Sequence, residues 1–170
     1  MKNLNVLIAI FTVVWLSGCT ESREETVTYK INEPVFMPVE QFRQAVRVIP
    51  EPMPLAKQGK IAFFKDYLYI SEPEKGIHII DNRNPEHPVS VGFIELLGNA
   101  DMAIKDNILY ADSYIDMVWF DISSPATPKF LGRKEDIFPD AFPKPGNDYG
   151  LDYSKVSDKS KGVVVAWQLR

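Results

Sequence analysis

Ile77-His78-Ile79-Ile80-Asp81, followed by Pro85 and Pro88, has a counterpart in Met117-Val118-Trp119-Phe120-Asp121, followed by Pro125 and Pro128. Both are apolar-rich pentapeptides that end in aspartate and lead to two prolines at the same spacing, and Asp121 follows Asp81 by 40 residues. Lys65/Lys105, Asp66/Asp106, Glu72/Asp112 and Gly92/Gly132 fall in the same register. The chain therefore reads as an ungapped tandem repeat.

Each repeat offers four short runs of strand-forming residues: 61–64, 68–71, 77–80 and 89–94 in the first, then 102–104, 108–111, 117–120 and 130–131 in the second. Four strands in about 40 residues is the period of a β-propeller blade. The residues between the runs suit turns. Lys65-Asp66 and Lys105-Asp106 are polar connections for antiparallel strands. Asp81 and Asp121 are placed to accept backbone N–H groups a few residues on, and the prolines that follow remove donors a strand would need. Their recurrence at one structural place reads both aspartates first as turn-formers rather than catalytic groups.

These residues resemble the LVIVD-repeat family of bacterial β-propeller proteins, named for a pentapeptide that 77–81 and 117–121 both match in pattern. The likeness covers roughly residues 59–133. It implies a propeller fold in a cell-surface or periplasmic protein, and it supplies no catalytic residues to transfer.

The amino terminus has the layout of a cleaved lipoprotein signal. Lys2 gives a positive start, 4–16 is an almost continuous apolar run, and Leu16-Ser17-Gly18-Cys19 has the look of a lipobox. The run is shorter than the roughly 20 residues a spanning helix needs. Cys19 is the only cysteine, so its lipidation leaves none for a disulfide, thiolate metal ligation or a Cys nucleophile. Acyl chains on Cys19 would hold the protein on a membrane without a transmembrane helix. Thr20 rather than Asp after the cysteine points, by analogy with Gram-negative sorting, to the outer membrane.

The expected organisation is a signal peptide at 1–18, a lipidated tether with a short helix at 19–54, and an incomplete propeller at 55–170. Residues 20–34 read as a polar tether. The segment 38–46 permits one helix, with Val39, Phe42 and Val46 on one face and Glu40 near the positive end of its dipole. Pro50, Pro52 and Pro54 read as an extended passage.

After Gly132 the register fails. Phe138, Phe142, Tyr149 and Tyr153 lie among prolines and acidic groups, and only 162–169 again reads as a strand. Aromatic rings in such a connection pack over strand ends or make a stacking platform for a sugar or peptide. The expected fold class is all-β, a partial propeller of two four-stranded blades plus part of a third, after a signal peptide and a short helix. A closed propeller takes at least four blades. The sequence therefore reads as the N-terminal part of a longer propeller, with closure by oligomerisation as the alternative.

With 19 Lys+Arg against 23 Asp+Glu the net charge is −4, which provides no basic excess for nucleic acid. No sequence-local catalytic device is present: there is no G-x-S-x-G elbow, H-E-x-x-H, G-x-G-x-x-G or phosphate-binding loop. His78 on a strand and His87 in a proline turn make a poor metal pair. Asp101, Asp112 and Asp116, with Tyr110 and Tyr114 nearby, could supply oxygen ligands to Ca²⁺ or orient a sugar, although no D-x-D-x-D-G loop accompanies them. No cofactor is expected. The favoured reading is a non-enzymatic, lipid-anchored binding or scaffold module whose partner is an envelope protein or glycan. The alternative is a hydrolase or lyase acting on envelope or environmental saccharides.

Overall fold

A computed structural model describes residues 29–156 and 158–170; the lipobox and Cys19 lie outside the described residues. The described residues are mostly β, in three sheets. The first has the order β2(Arg47–Ile49)-β6(Val89–Glu95)-β5(Gly76–Asp81)-β4(Tyr67–Glu72)-β3(Ile61–Phe64). The second has the order β10(Lys129–Lys134)-β9(Asp116–Asp121)-β8(Ile108–Ser113)-β7(Met102–Lys105). In the third, β1(Ile31–Met37) lies between β11(Gly150–Leu151) and β12(Val163–Leu169). All eight strands expected between residues 61 and 134 form, seven of them within two residues of their expected ends and the last running on three residues beyond Leu131 to Lys134, in two antiparallel meanders.

The same local devices recur in both meanders. The Asp81 carboxylate accepts from Arg83 N–H at 3.1 Å and Asp121 from Ser123 N–H at 2.8 Å, the Asx turns the sequence suggested. In the proline turns, His87 N–H donates to Asn84 and Thr127 N–H to Ser124, both at 3.0 Å. Register shifts leave Val91 unpaired opposite β5 and Leu131 opposite β9, so both final strands carry the same bulge. Gly92 and Gly132 follow the bulges, facing Ile79 and Trp119. A Cβ on Gly132 would stand 2.8 Å from the Trp119 ring.

The ungapped register does not survive. Pro73-Glu74-Lys75 joins β4 to β5, whereas only Tyr114-Ile115 joins β8 to β9. Consequently β7 and β8 stand 41 residues beyond β3 and β4, while β9 and β10 stand 40 beyond β5 and β6. The turn matching Lys65-Asp66, which has φ of +46° and +62°, is Asp106-Asn107, with Asp106 at +57°. Lys105 ends β7 instead. The identity of Lys65 with Lys105 is thus not a structural equivalence.

The corrected offsets of 41 and 40 residues identify the equivalent faces of the two sheets. Tyr69, Ile77, Ile79 and Ile94 of the first sheet share one core with Met102, Leu109, Ala111, Val118 and Phe120 of the second. With the offsets corrected, Tyr69, Ile77 and Ile79 correspond to Tyr110, Met117 and Trp119, on the far face of the second sheet. The two sheets stack in one sense, front to back. The Tyr69 hydroxyl fastens the stack by donating to the Pro125 carbonyl at 2.9 Å.

Three strands fall where the sequence reading had none. Ile31–Met37, half of it within the expected tether, is a strand paired antiparallel with β12 from Asn32↔Leu169 to Met37↔Val163. Arg47–Ile49 adds a fifth strand to the first sheet through Arg47↔Glu95. Gly150–Leu151 pairs parallel with the start of β1. Between the first two, α1(Val39–Gln44) forms inside the expected helix, with Glu40 in its first turn, Arg43 in its last and Phe42 buried. Phe42, Tyr114 and Val163, with Met37, Val39, Leu97, Ile115 and Val165 against them, form a second core that joins α1 and the third sheet to the β8–β9 turn. Among the described residues no helix is long and apolar enough to cross a membrane.

Candidate functional site

Of the residues the sequence singled out, Asp116 is the most constrained. Its carboxylate is fully buried and accepts from Arg43 Nε at 3.0 Å, Arg133 Nη1 at 2.7 Å and the Asp136 N–H at 2.9 Å. Burial by itself would push this carboxyl up, but the donors from Arg43, Asp136 and Arg133 outweigh it and hold it below the usual aspartate value. Arg43 also meets Glu135 at 2.8 Å and Asp136 at 3.6 Å, and the Arg133 guanidinium lies over the Phe42 ring at 5.5 Å. The group ties α1, β9, β10 and the start of the long connection together.

Asp112 sits elsewhere. It pairs with Met117 across the ladder while Ser113 pairs with Asp116, and successive residues of a strand face opposite ways. Asp112 and Asp116 therefore lie on opposite faces of the second sheet. The Asp112 carboxylate receives the N–H groups of Ala100 at 2.7 Å and Asp101 at 2.9 Å and the Asn99 amide at 3.0 Å. Burial pushes its carboxyl above the usual value against those donors. Asp101 is close by but binds Lys60 Nζ at 2.6 Å and the Met102 N–H at 2.6 Å, and the Lys60 bond holds it low.

Tyr114 belongs to neither carboxylate. Its ring fills the second core and covers Gly98, whose φ of +75° and distance of 2.2 Å from an added Cβ to the ring exclude a side chain there. Burial pushes its hydroxyl up. Tyr110 lies half-buried on the far face. The structure thus brings Asp101 and Asp112 together around backbone donors and separates Asp116 from them. Among the described residues no three His, Cys, Asp or Glu side chains form a group that could hold a metal ion.

A cleft of about 740 Å³ lies beside the Asp116 cluster. Its walls come from α1 (Val39, Arg43), the connection after β10 (Asp136, Asp140, Phe142) and the residues around β12 (Tyr153, Lys159, Val163). Phe142 is its aromatic corner, edge-on to Tyr153 at 6.4 Å and to Trp167 at 5.6 Å between ring centres. Trp167 Nε1–H donates to the Pro143 carbonyl at 2.6 Å and pins the connection to β12. Of the four aromatic residues noted in this connection, Phe142 and Tyr153 line the cleft, whereas Phe138 and Tyr149 do not.

Sequence reasoning missed Arg43, Arg133, Glu135 and Asp136, because Arg43 reaches Asp116 across 73 residues and no local spacing announces such a contact. It also placed no partner on His78. The His78 Nε2 lies 2.8 Å from Glu72 Oε2 within the buried first sheet, and its Nδ1 is buried without a partner. Glu72 also accepts from Lys75 Nζ at 2.5 Å. The Lys75 and His78 bonds hold its carboxyl down at about 2.

Compared with known proteins, the chain matches no family model, no curated protein and no solved structure.

Proposed function

We propose that the chain is a lipid-anchored protein of the cell envelope, held at the outer membrane through Cys19. Its repeated sheets are blades of an LVIVD-type β-propeller and serve as a non-catalytic binding module. The partner is another envelope protein or a glycan, taken in the cleft between α1, the connection after β10 and β12. The observation that carries this reading is the front-to-back stacking of two four-stranded meanders with matching bulges and Asx turns, the relation between neighbouring blades of a propeller. The cleft is of ligand-site size, and its apolar floor with a few charged groups suits recognition. The carboxylates Asp116, Asp112 and Glu72 are each held by fixed donors, which favours a structural role for them over proton transfer.

Two measurements test the reading. Cells expressing the full chain are grown with radiolabelled palmitate and fractionated; label on the wild type in the outer membrane, absent from Cys19→Ser, supports the anchor, and equal or no label removes it. The full chain and Tyr153→Ala are then immobilised and exposed to defined envelope glycans and solubilised envelope proteins. Retention that is lost with Tyr153 supports the cleft. Retention identical in both, or cleavage of a glycan by the wild type, overturns the binding module.

A further inference from the structure

Among the described residues, front-to-back stacking leaves one face of each repeat sheet without a sheet on it. On the first sheet the open face carries Phe63 and Ile61, 61% and 49% exposed, beside the half-buried Leu68 and Ile80. The equivalents on the second sheet are Ile104, Met102, Leu109 and Phe120, which lie under the first sheet; Met102 is 6% exposed and Leu109 and Phe120 are fully buried. On the second sheet the open face carries half-buried Tyr110, Met117 and Trp119, whereas the equivalent Tyr69, Ile77 and Ile79 are fully buried. The opposite end of the first sheet's open face is already closed, since Glu72, His78 and Phe93 are buried. The surface on offer is therefore the Phe63 end.

We propose that a second copy of this chain covers these faces, with the second sheet of one copy stacking on the first sheet of the next. The occupant follows from equivalence: the open faces are the two halves of an interface the molecule already contains, and every copy carries one of each. Individual contacts carry over. Tyr69 and Pro125, joined within the chain, correspond to Tyr110 and Pro85, so Tyr110 of one copy meets Pro85 of the next. Lys60 and Asp101, paired within the chain, occupy mutually equivalent positions, so an Asp101–Lys60 pair is regenerated between copies.

One contact is not reproduced. Lys65 donates to Asn107 within the chain at 3.0 Å, but the corresponding positions between copies hold Asp106 and Asp66, and two like charges face each other. Association is accordingly weaker than the packing within one chain. Because it uses two different patches, the contact is heterologous, and it closes into a ring or continues as an open array. The inference rests on the two sheets being equivalent stacked modules; it is independent of what the cleft binds.

The test uses the full chain in a Cys19→Ser background with a short bismaleimide cross-linker. Tyr69→Cys with Pro125→Cys in one chain checks the stacking within the molecule; failure of that intrachain link overturns the module reading and this inference with it. Copies bearing Tyr110→Cys are then mixed with differently tagged copies bearing Pro85→Cys. The expected product is the mixed dimer, in excess over either same-site dimer, lost on adding Phe63→Asp and increased by Asp106→Lys. Phe63 is exposed, so its replacement leaves the fold intact, as circular dichroism checks. An intact intrachain link with no mixed product at any concentration overturns the inference, as do same-site dimers in equal yield, which would mean a two-fold contact.

Discussion

The two repeat sheets share their turns and bulges but differ at one corner, where the second strand of each meander hands over to the third. In the first sheet the buried acid is Glu72, on the second strand, and its partners Lys75 and His78 are three and six residues away. In the second it is Asp116, on the third strand, and its partners Arg43 and Arg133 are 73 and 17 residues away. The corner of the first sheet is self-contained. The other, with its loop shortened by one residue, recruits α1 and the connection after β10, and in doing so builds one wall of the cleft. A repeat thus keeps its strand scaffold and changes what lies beyond it by altering a single hairpin.

The largest effect that would break the comparison is at Asp116. Removing the carboxylate leaves Arg43 and Arg133, which are 17% and 8% exposed, facing each other without their common anion. Asp116→Ala is expected to lower unfolding free energy by about 3–5 kcal/mol, the order for breaking a buried ion pair from one side. Asp116→Asn, similar in shape without the charge, falls in the same range if charge rather than packing governs the corner. Denaturant titration measures both, and a cost under about 1 kcal/mol, the scale of an exposed pair, would show that the arginines find other partners.

The Glu72 corner gives a smaller effect with a distinct pH signature. Its folded value near 2 lies below the ordinary 4.5, so its contribution is complete above about pH 4.5 and is lost as the pH falls through 2. Asp116, also held low, acts in the same direction, whereas Asp112, pushed up by burial, opposes them. Stability should therefore decline between pH 4.5 and 2. Glu72→Gln should cost about 2 kcal/mol at neutral pH, the order for hydrogen bonds to a charged group, and should flatten that decline. An unchanged acid limb in Glu72→Gln would assign the acid sensitivity to the other corner.

The strands were legible because each has a local cause. Runs of strand-forming residues such as 61–64 and 102–104, polar connections between them, and prolines after Asp81 and Asp121 each act within a few residues. What escaped was non-local. Ile31–Met37 contains Glu33 and Pro34 and reads as a tether; it becomes a strand because β12, more than a hundred residues on, pairs with it. Beyond Asn32 it has no partner in β11, so Pro34 sits where an edge tolerates proline. The one-residue shift escaped for a different reason: Lys65 and Lys105 are identical, and identity concealed that one belongs to a turn and the other to a strand. Likewise Asp116 stood out as an acid at a strand end, but its role is set by Arg43, which no spacing in the chain links to it.

The smallest effect sharpens the comparison between the inner and outer faces of the modules. Tyr69 and Tyr110 are structural equivalents, but only Tyr69 is fully buried and donates to a carbonyl of the neighbouring module. Tyr69→Phe removes the hydroxyl and leaves the Pro125 carbonyl without that donor, so it should cost about 1 kcal/mol, the usual net worth of one hydrogen bond. Tyr110→Phe should cost nothing measurable in dilute solution, where the chain is alone, and should become destabilising as the protein is concentrated if copies stack as inferred, because association stabilises the folded state by mass action. Thermal unfolding of both variants across a dilution series separates the cases. A cost for Tyr69→Phe that is independent of concentration, beside a cost for Tyr110→Phe that grows with it, would place the same contact once within the chain and once between chains.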